Sequence, residues 1–297
     1  MPEAMLALLP DRGVVSVTGP DAVAFLDNLI SNDMALLASQ EALHAGLLSP
    51  QGKILFEFMV VKTPVGFLLE TALAQTAALA KRLTLYKLRA KVEIKDAPGE
   101  VIVAASFGDV RARPQGAIAF VDPRSAKLGD RLLLPAPAVG DLVAKTAARR
   151  MSPGLVAAHR IAFGVPEAGL DYPLGDTFPH EADFDLFNGV SFSKGCYVGQ
   201  EVVARMQNKT VVRKRVARVK GDDQLTNGAE VKVGEASVGR IGSVAGTHGL
   251  AMLRLDRIVE AMDKGQAITA NAIALTVEAE MLERYRTSVS ERAASGA

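Results

Sequence analysis

The chain of 297 residues contains one cysteine, no tryptophan and four histidines. A single thiol excludes a disulfide within the chain and points to a reducing compartment, since secreted chains rarely keep one unpaired. The histidines, His44, His159, His180 and His248, are scattered and give no CxxC or HxxxH spacing. No permanently bound metal is therefore expected within the chain alone. Aromatic residues make up 5%, and none interleaves with the basic run from Arg205 to Lys220 as nucleic-acid surfaces usually show. With 34 basic against 33 acidic residues, no global field draws the chain to nucleic acid or membrane. The opening "MPEAMLALLPDRG" has an apolar patch too short to span a bilayer, and it is acidic where a signal peptide is basic. A cytoplasmic protein is expected.

What is present is an ordinary globular composition, 49% hydrophobic and 23% charged, with length enough for a large core. Val14 to Val17 reads as a strand and "TGPDAVAFLDNLI" as a helix, with Thr18 and Asp21 as a capping box and Phe25, Leu26, Leu29 and Ile30 on one face. "HAGLLSPQGKILFEFMVVKTPVGFLLET" reads as strands joined by turns at Pro50–Gly52 and Pro64–Gly66. Helices are expected over 73–85, 137–150 and 153–163, with a strand at "LRAKVEI" and several short strands over 100–135. Residues 165–194 show no periodicity, and a run of that length inside a compact chain is usually functional. Beyond Lys209 the pattern is all-β. The expected architecture is an α+β body over 1–208, a small β-barrel-like domain over 209–284, and a disordered tail over 285–297.

The one cysteine lies in "SFSKGCYVGQEVVARMQNKTVVRKR". Gly195 and Gly199 flank it closely enough to suggest a tight, open backbone. "QEVVARM" looks helical, so a helix N-terminus and Lys194 would both favour the thiolate. Free cysteine is equally at home as a small buried hydrophobe, and the local sequence leaves both readings open. A thiol hydrolase built on Cys196 and His180 lacks a recognisable third member. The basic run from Arg205 to Lys220 is either a solvated connecting strand or a site for a small anion, such as a ligand's carboxylate tail.

"KGCYVGQEVVAR" resembles the K-G-C-[FY]-x-G-Q-E signature of the YgfZ proteins, folate-binding relatives of the glycine-cleavage T-protein, an aminomethyltransferase. "VTGPDAVAFLDNLISNDM", "LLSPQGKILFEFMV" and "RIAFGVPEAGLDYP" extend the resemblance over roughly residues 14–255. It implies a three-lobed α+β folate-binding fold closed on one side by a C-terminal β-barrel domain. It further implies binding of tetrahydrofolate or a derivative, polyglutamylated forms included, and service to iron–sulfur cluster assembly or repair, with the tRNA modification that depends on it. The partners implied are reduced folate and iron–sulfur client or assembly proteins. Glu181 matches the glutamate that reads the pterin by two hydrogen bonds. In "GKILFEFMV", Phe56 and Glu57 stand where T-proteins carry two aspartates, and only Glu57 keeps an acid. Lys194, Gly195, Tyr197, Gln200 and Glu201 are the further folate-binding candidates that the motif places beside Cys196, the functional thiol; Arg205 and Arg215 are candidates for the folate glutamate tail that no motif assigns. The altered aspartate pair argues for folate binding without the aminomethyl transfer. A folate-dependent one-carbon transferase is the alternative.

Overall fold

The computed structural model describes residues 4–108, 110, 114–146 and 148–294. They gather into two compact units: the first takes residues 1–48, 55–156 and 187–198, and the second takes 49–54, 157–186 and 199–297.

In the first unit one five-stranded sheet runs β3 (Ala42–Leu48), β4 (Ile54–Thr63), β5 (Gly66–Ala72), β2 (Arg12–Thr18), β6 (Glu93–Asp96). The other runs β10 (Arg149–Arg150), β1 (Met5–Leu8), β7 (Val101–Phe107), β9 (Asp130–Pro135), β8 (Ile118–Val121). Alternation along the strands decides which residue enters which core. Val15 and Val17 of β2, with Phe56, Phe58 and Val60 of β4, pack against α1 (Ala22–Asp27) and α2 (Thr76–Tyr86). Their neighbours Val14, Met59 and Val61 face the other way, onto Val103, Ala105, Phe120 and Leu133 of the second sheet. That sheet's far face, Ala104, Leu132 and Leu134, packs with Leu142 of α3 (Val139–Lys145). The unit is thus layered helix, sheet, sheet, helix.

A row of charges crosses between these two sheets where Arg131 Nη1 lies 3.9 Å from Glu70 Oε1. Arg12 Nε donates to Glu70 at 2.5 Å, Arg131 reaches Asp122 at 3.4 Å, and Arg124 bonds Asp122 through Nε (3.0 Å) and Nη2 (2.9 Å). Burial alone would raise the Asp122 carboxyl, yet Arg124 and Arg131 hold it well below the usual carboxylate range.

The second unit contains a closed six-stranded barrel, β11 (Lys214–Gly221), β14 (His248–Arg254), β13 (Ala236–Ala245), β12 (Glu230–Val233), β15 (Ile268–Ala270), β16 (Ile273–Val277), with β16 pairing back onto β11. Its core draws Ala217, Val219, Val231, Ile241, Leu253 and Val277 inward. The all-β expectation misses two helices here. α6 (Leu255–Asp263) plugs the core with Leu255 and Ile258, and α7 (Ala279–Ala294) with Met281 and Leu282. Residues as far as Ala294 are helical, where a disordered tail was expected from 285.

Also in the second unit are the end of α4 (Pro153–Ala162), α5 (Gln200–Lys209) and the aperiodic segment 165–186, all of which the sequence reading grouped with the body. Side-chain bonds order the aperiodic segment. Arg160 donates to Asp171 (2.6 Å), to the Val165 carbonyl (2.6 Å) and to Ser243 Oγ (2.7 Å), while Asp171 accepts the Ser243 amide (2.7 Å). The helix expected over "TGPDAVAFLDNLI" is only six residues long. The Asp21 carboxylate does not cap it but accepts the Lys91 amide at 2.7 Å.

Candidate functional site

Cys196 is exposed, which sets aside the reading of a buried hydrophobe. Its neighbours explain the exposure, since both flanking anchors turn inward. Lys194 Nζ donates to the carbonyls of Asp27 (2.6 Å), Asn32 (2.6 Å) and Ile30 (3.2 Å) and lies 3.0 Å from the Asp27 carboxylate. It satisfies carbonyls at the end of α1 that have no helical partner. Burial pulls the Lys194 ammonium below its ordinary pKa, and Asp27 offsets part of this. Tyr197 is also buried, with Lys194 Nζ 5.4 Å from its ring centroid. Burial pushes the Tyr197 phenol up to about 12, and its hydroxyl has no hydrogen-bond partner among the described residues.

The two glycines of the motif differ. Gly199 has φ +83°, a backbone that favours glycine. Gly195 lies outside the left-handed region, and a Cβ there would meet nothing within 4 Å. The tight backbone expected at both glycines holds only at Gly199, and beside Cys196 there is open space instead.

Further bonds fix the segment that carries the thiol. Asn32 Nδ2 donates to the carbonyls of Asn188 (2.7 Å) and His44 (2.8 Å). Ser31 Oγ donates to the Gly189 carbonyl (2.6 Å) and accepts the Gly46 amide (2.8 Å), and the Ser191 amide donates to the Ser31 carbonyl (2.9 Å).

Glu57 is not an exposed strand residue. Its carboxylate lies 3.0 Å from His44 Nε2, and His44 Nδ1 lies 2.8 Å from the Phe187 carbonyl. Both residues lie on neighbouring strands, β4 and β3. Phe56, at the other aspartate position, is a core residue. His44 also lines a cavity of ≈ 990 Å³ in this unit, together with Asn32, Asp122, Asn188, Ser191 and Phe192.

The remaining candidates belong to the second unit. Glu181 is half-buried and accepts the Phe178 amide at 2.9 Å through Oε2. Gln200, Glu201 and Arg205 stand on α5. Glu201 and Arg205 are exposed, and Arg205 forms no ion pair among the described residues. His180 is buried with Nε2 2.9 Å from Gln207 Oε1, and burial lowers its pKa. Arg215 bonds Asp185 twice (2.9 and 2.7 Å) and Asp183 once (2.9 Å), so it braces its own unit. A cavity of ≈ 930 Å³ here is lined by His180, Arg215, Gln207 and residues of α7.

The "GK" of the first hairpin has a local cause. Gly52 has φ +78°, and a Cβ there would sit 2.8 Å from Val202 Cβ of α5. Lys53 Nζ stands 3.5 Å above the Phe178 ring and donates to the Asp176 carbonyl. Sequence reasoning missed His44, Asn32, Ser31 and Asp27. Only His44 had a usable signal, its place across a hairpin from Glu57. Among the described residues no three His, Cys, Asp or Glu side chains gather as a metal site, and no helix is long and apolar enough to cross a membrane.

Residues 213–281 match the family model of the CAF17 C-terminal beta-barrel domain. The chain is 34% identical over 288 residues to the human mitochondrial iron–sulfur cluster assembly factor IBA57, covering 84% of this chain and 77% of that one. Its mouse counterpart is 32% identical over 289 residues, with the same coverage. The mitochondrial homologue of Mycosarcoma maydis is 36% identical over 226 residues, 71% of this chain but 56% of that longer one. In fold, the chain is similar to the glycine cleavage system aminomethyltransferase T of Bartonella henselae. The TM-score is 0.74 at 18% identity, over 93% of this chain and 85% of that one, so the α+β fold with its C-terminal barrel is that of a T-protein. The named relatives are mitochondrial, which overturns the expectation of a cytoplasmic protein.

Proposed function

The chain belongs to the IBA57 family of iron–sulfur cluster assembly factors, and from that premise we propose that it is a YgfZ-like, tetrahydrofolate-binding accessory factor for iron–sulfur cluster assembly or repair, with Cys196 as its working thiol. The observation that carries this reading is the presentation of Cys196. The only thiol of the chain is exposed between two inward anchors, Lys194 and Tyr197, beside the open space at Gly195. A bulky reactant has room to reach it. Among the described residues no three His, Cys, Asp or Glu side chains gather as a metal site, so a cluster touching Cys196 is cargo that takes ligands from a client or assembly protein.

Glu181 supports the folate part. One of its oxygens accepts an amide while the other has no hydrogen-bond partner among the described residues, leaving lone pairs for the paired N–H donors of a pterin. Arg205, exposed and without an ion pair among the described residues, suits a carboxylate tail. Lys194 fits the ligand poorly, because its protons are spent on three carbonyls, and its role is to hold the cysteine segment. Bound folate would supply one-carbon chemistry, but Phe56 is core and Glu57 is engaged by His44. That favours binding over aminomethyl transfer.

The test is Cys196→Ser. An exposed substitution should leave stability within about 0.5 kcal/mol, while the chain loses its capacity to restore an iron–sulfur enzyme, or iron–sulfur-dependent tRNA modification, in cells lacking their own family member. Full restoration by the serine variant overturns the role of the thiol.

A further inference from the structure

Both ring nitrogens of His44 face oxygen. Nδ1 lies 2.8 Å from the Phe187 carbonyl and Nε2 lies 3.0 Å from Glu57 Oε1. A carbonyl has no proton to give, so Nδ1 carries the hydrogen of the first bond. The second contact then needs a proton of its own between Nε2 and the carboxyl. That proton closes a hydrogen bond between the ring and the carboxyl, and the bond stands whichever of the two carries it. Little water reaches the pair, whose side chains are 3% and 10% exposed.

The second partner of the ring matters as much as the first. Phe187 opens the stretch 187–198 that runs to Cys196 and Tyr197. Below it, the same stretch is fastened through Asn188 to Asn32, through Gly189 and Ser191 to Ser31, and through Lys194 to Asp27. Of these anchors it is His44 that joins the stretch to Glu57 on β4.

We propose that His44 is a positioning residue that couples the Glu57 carboxylate to the cysteine-bearing stretch. A ligand that brings a single N–H donor to Glu57, apart from the pterin pair assigned to Glu181, competes with His44, weakens the hold on Phe187, and so alters how Cys196 is presented. The identity of that ligand as a reduced folate rests on the reading above; the tether itself rests on the hydrogen bonds alone.

The experiment has ligand-free and ligand-bound arms on the full chain. In ligand-free protein labelled with 15N-histidine, the His44 ring shows a proton on Nδ1, the nitrogen that faces the Phe187 carbonyl. Hydrogen exchange at the Ser191 and Lys194 amides becomes about tenfold faster in Glu57→Leu and in His44→Phe, and the iodoacetamide labelling rate of Cys196 shifts with it. A bare Nδ1, or exchange in Glu57→Leu equal to wild type, overturns the tether. Should His44→Phe fail to fold, the wild-type spectrum and Glu57→Leu still decide. In the second arm, tetrahydrofolate added to wild type speeds exchange over 187–194, and in Glu57→Leu it has no such effect. Calorimetric binding without that change overturns the coupling to ligand. Absence of binding overturns the folate reading instead, and the ligand-free arm still decides the tether.

Discussion

Lys194 and Asp27 meet twice: the ammonium lies 2.6 Å from the Asp27 carbonyl and 3.0 Å from its carboxylate. One residue at the end of α1 thus fixes the lysine that stands two places before the only thiol. In Lys194→Met, three carbonyls lose their donor and Asp27 loses its counter-ion. The loss should cost about 1–3 kcal/mol, because carbonyls that the buried ammonium served are left without their donor, while the Asp27 carboxylate is open to water. Urea unfolding measures it, and a variant as stable as wild type would show that the ammonium carries no anchoring energy.

Gly52→Ala is expected to destabilise by about 1–3 kcal/mol, from a left-handed φ and from overpacking. The new methyl would fall 2.8 Å from Val202 Cβ, so Val202→Ala, which keeps that atom, should not rescue it. Thermal unfolding of the single and double variants decides the point.

Asp183 gives a pH dependence with a definite sign. It is fully buried, and burial pushes its carboxyl up to about 8 although Arg215 pulls the other way. Between the ordinary value near 3.8 and about 8, the folded state binds the proton that the unfolded state has released. Stability from this group is complete below the lower value and declines as pH rises toward the upper one. Asp183→Asn, which cannot ionise, should flatten that decline in unfolding midpoints taken from pH 5 to 8. A slope identical to wild type would mean that Asp183 is ionised throughout.

Glu181→Ala should weaken tetrahydrofolate binding by about 1.5–3 kcal/mol, the cost of leaving a donor pair without its acceptor. Titration calorimetry reads it directly. Unchanged affinity would move the pterin to another carboxylate.

Much of this was legible in the sequence, for reasons that particular residues make plain. Near-continuous apolar runs in "GVVSVT" and "ILFEFMVV" mark strands buried on both faces, and Gly199 marks the start of α5. α6 was missed because Leu255, Ile258 and Ala261 sit in a short helical stripe between strands. α7 was missed because only Met281 and Leu282 of its sixteen residues are buried, which leaves no stripe to read. The purpose of Lys194 was hidden more deeply. Its partners are main-chain carbonyls more than 160 residues away in sequence, and a carbonyl is the same atom in every residue. His44 and Glu57 stood on matching faces of one hairpin, yet their bond depends on a register that only the folded sheet fixes.

Closure of the barrel has a consequence for company. A sheet whose last strand bonds its first offers no free row of amides and carbonyls, so a partner cannot add a strand of its own to it. Whatever binds there must be recognised by side chains and turns. The same absence of a sticky border spares this half of the chain from templating its own aggregation.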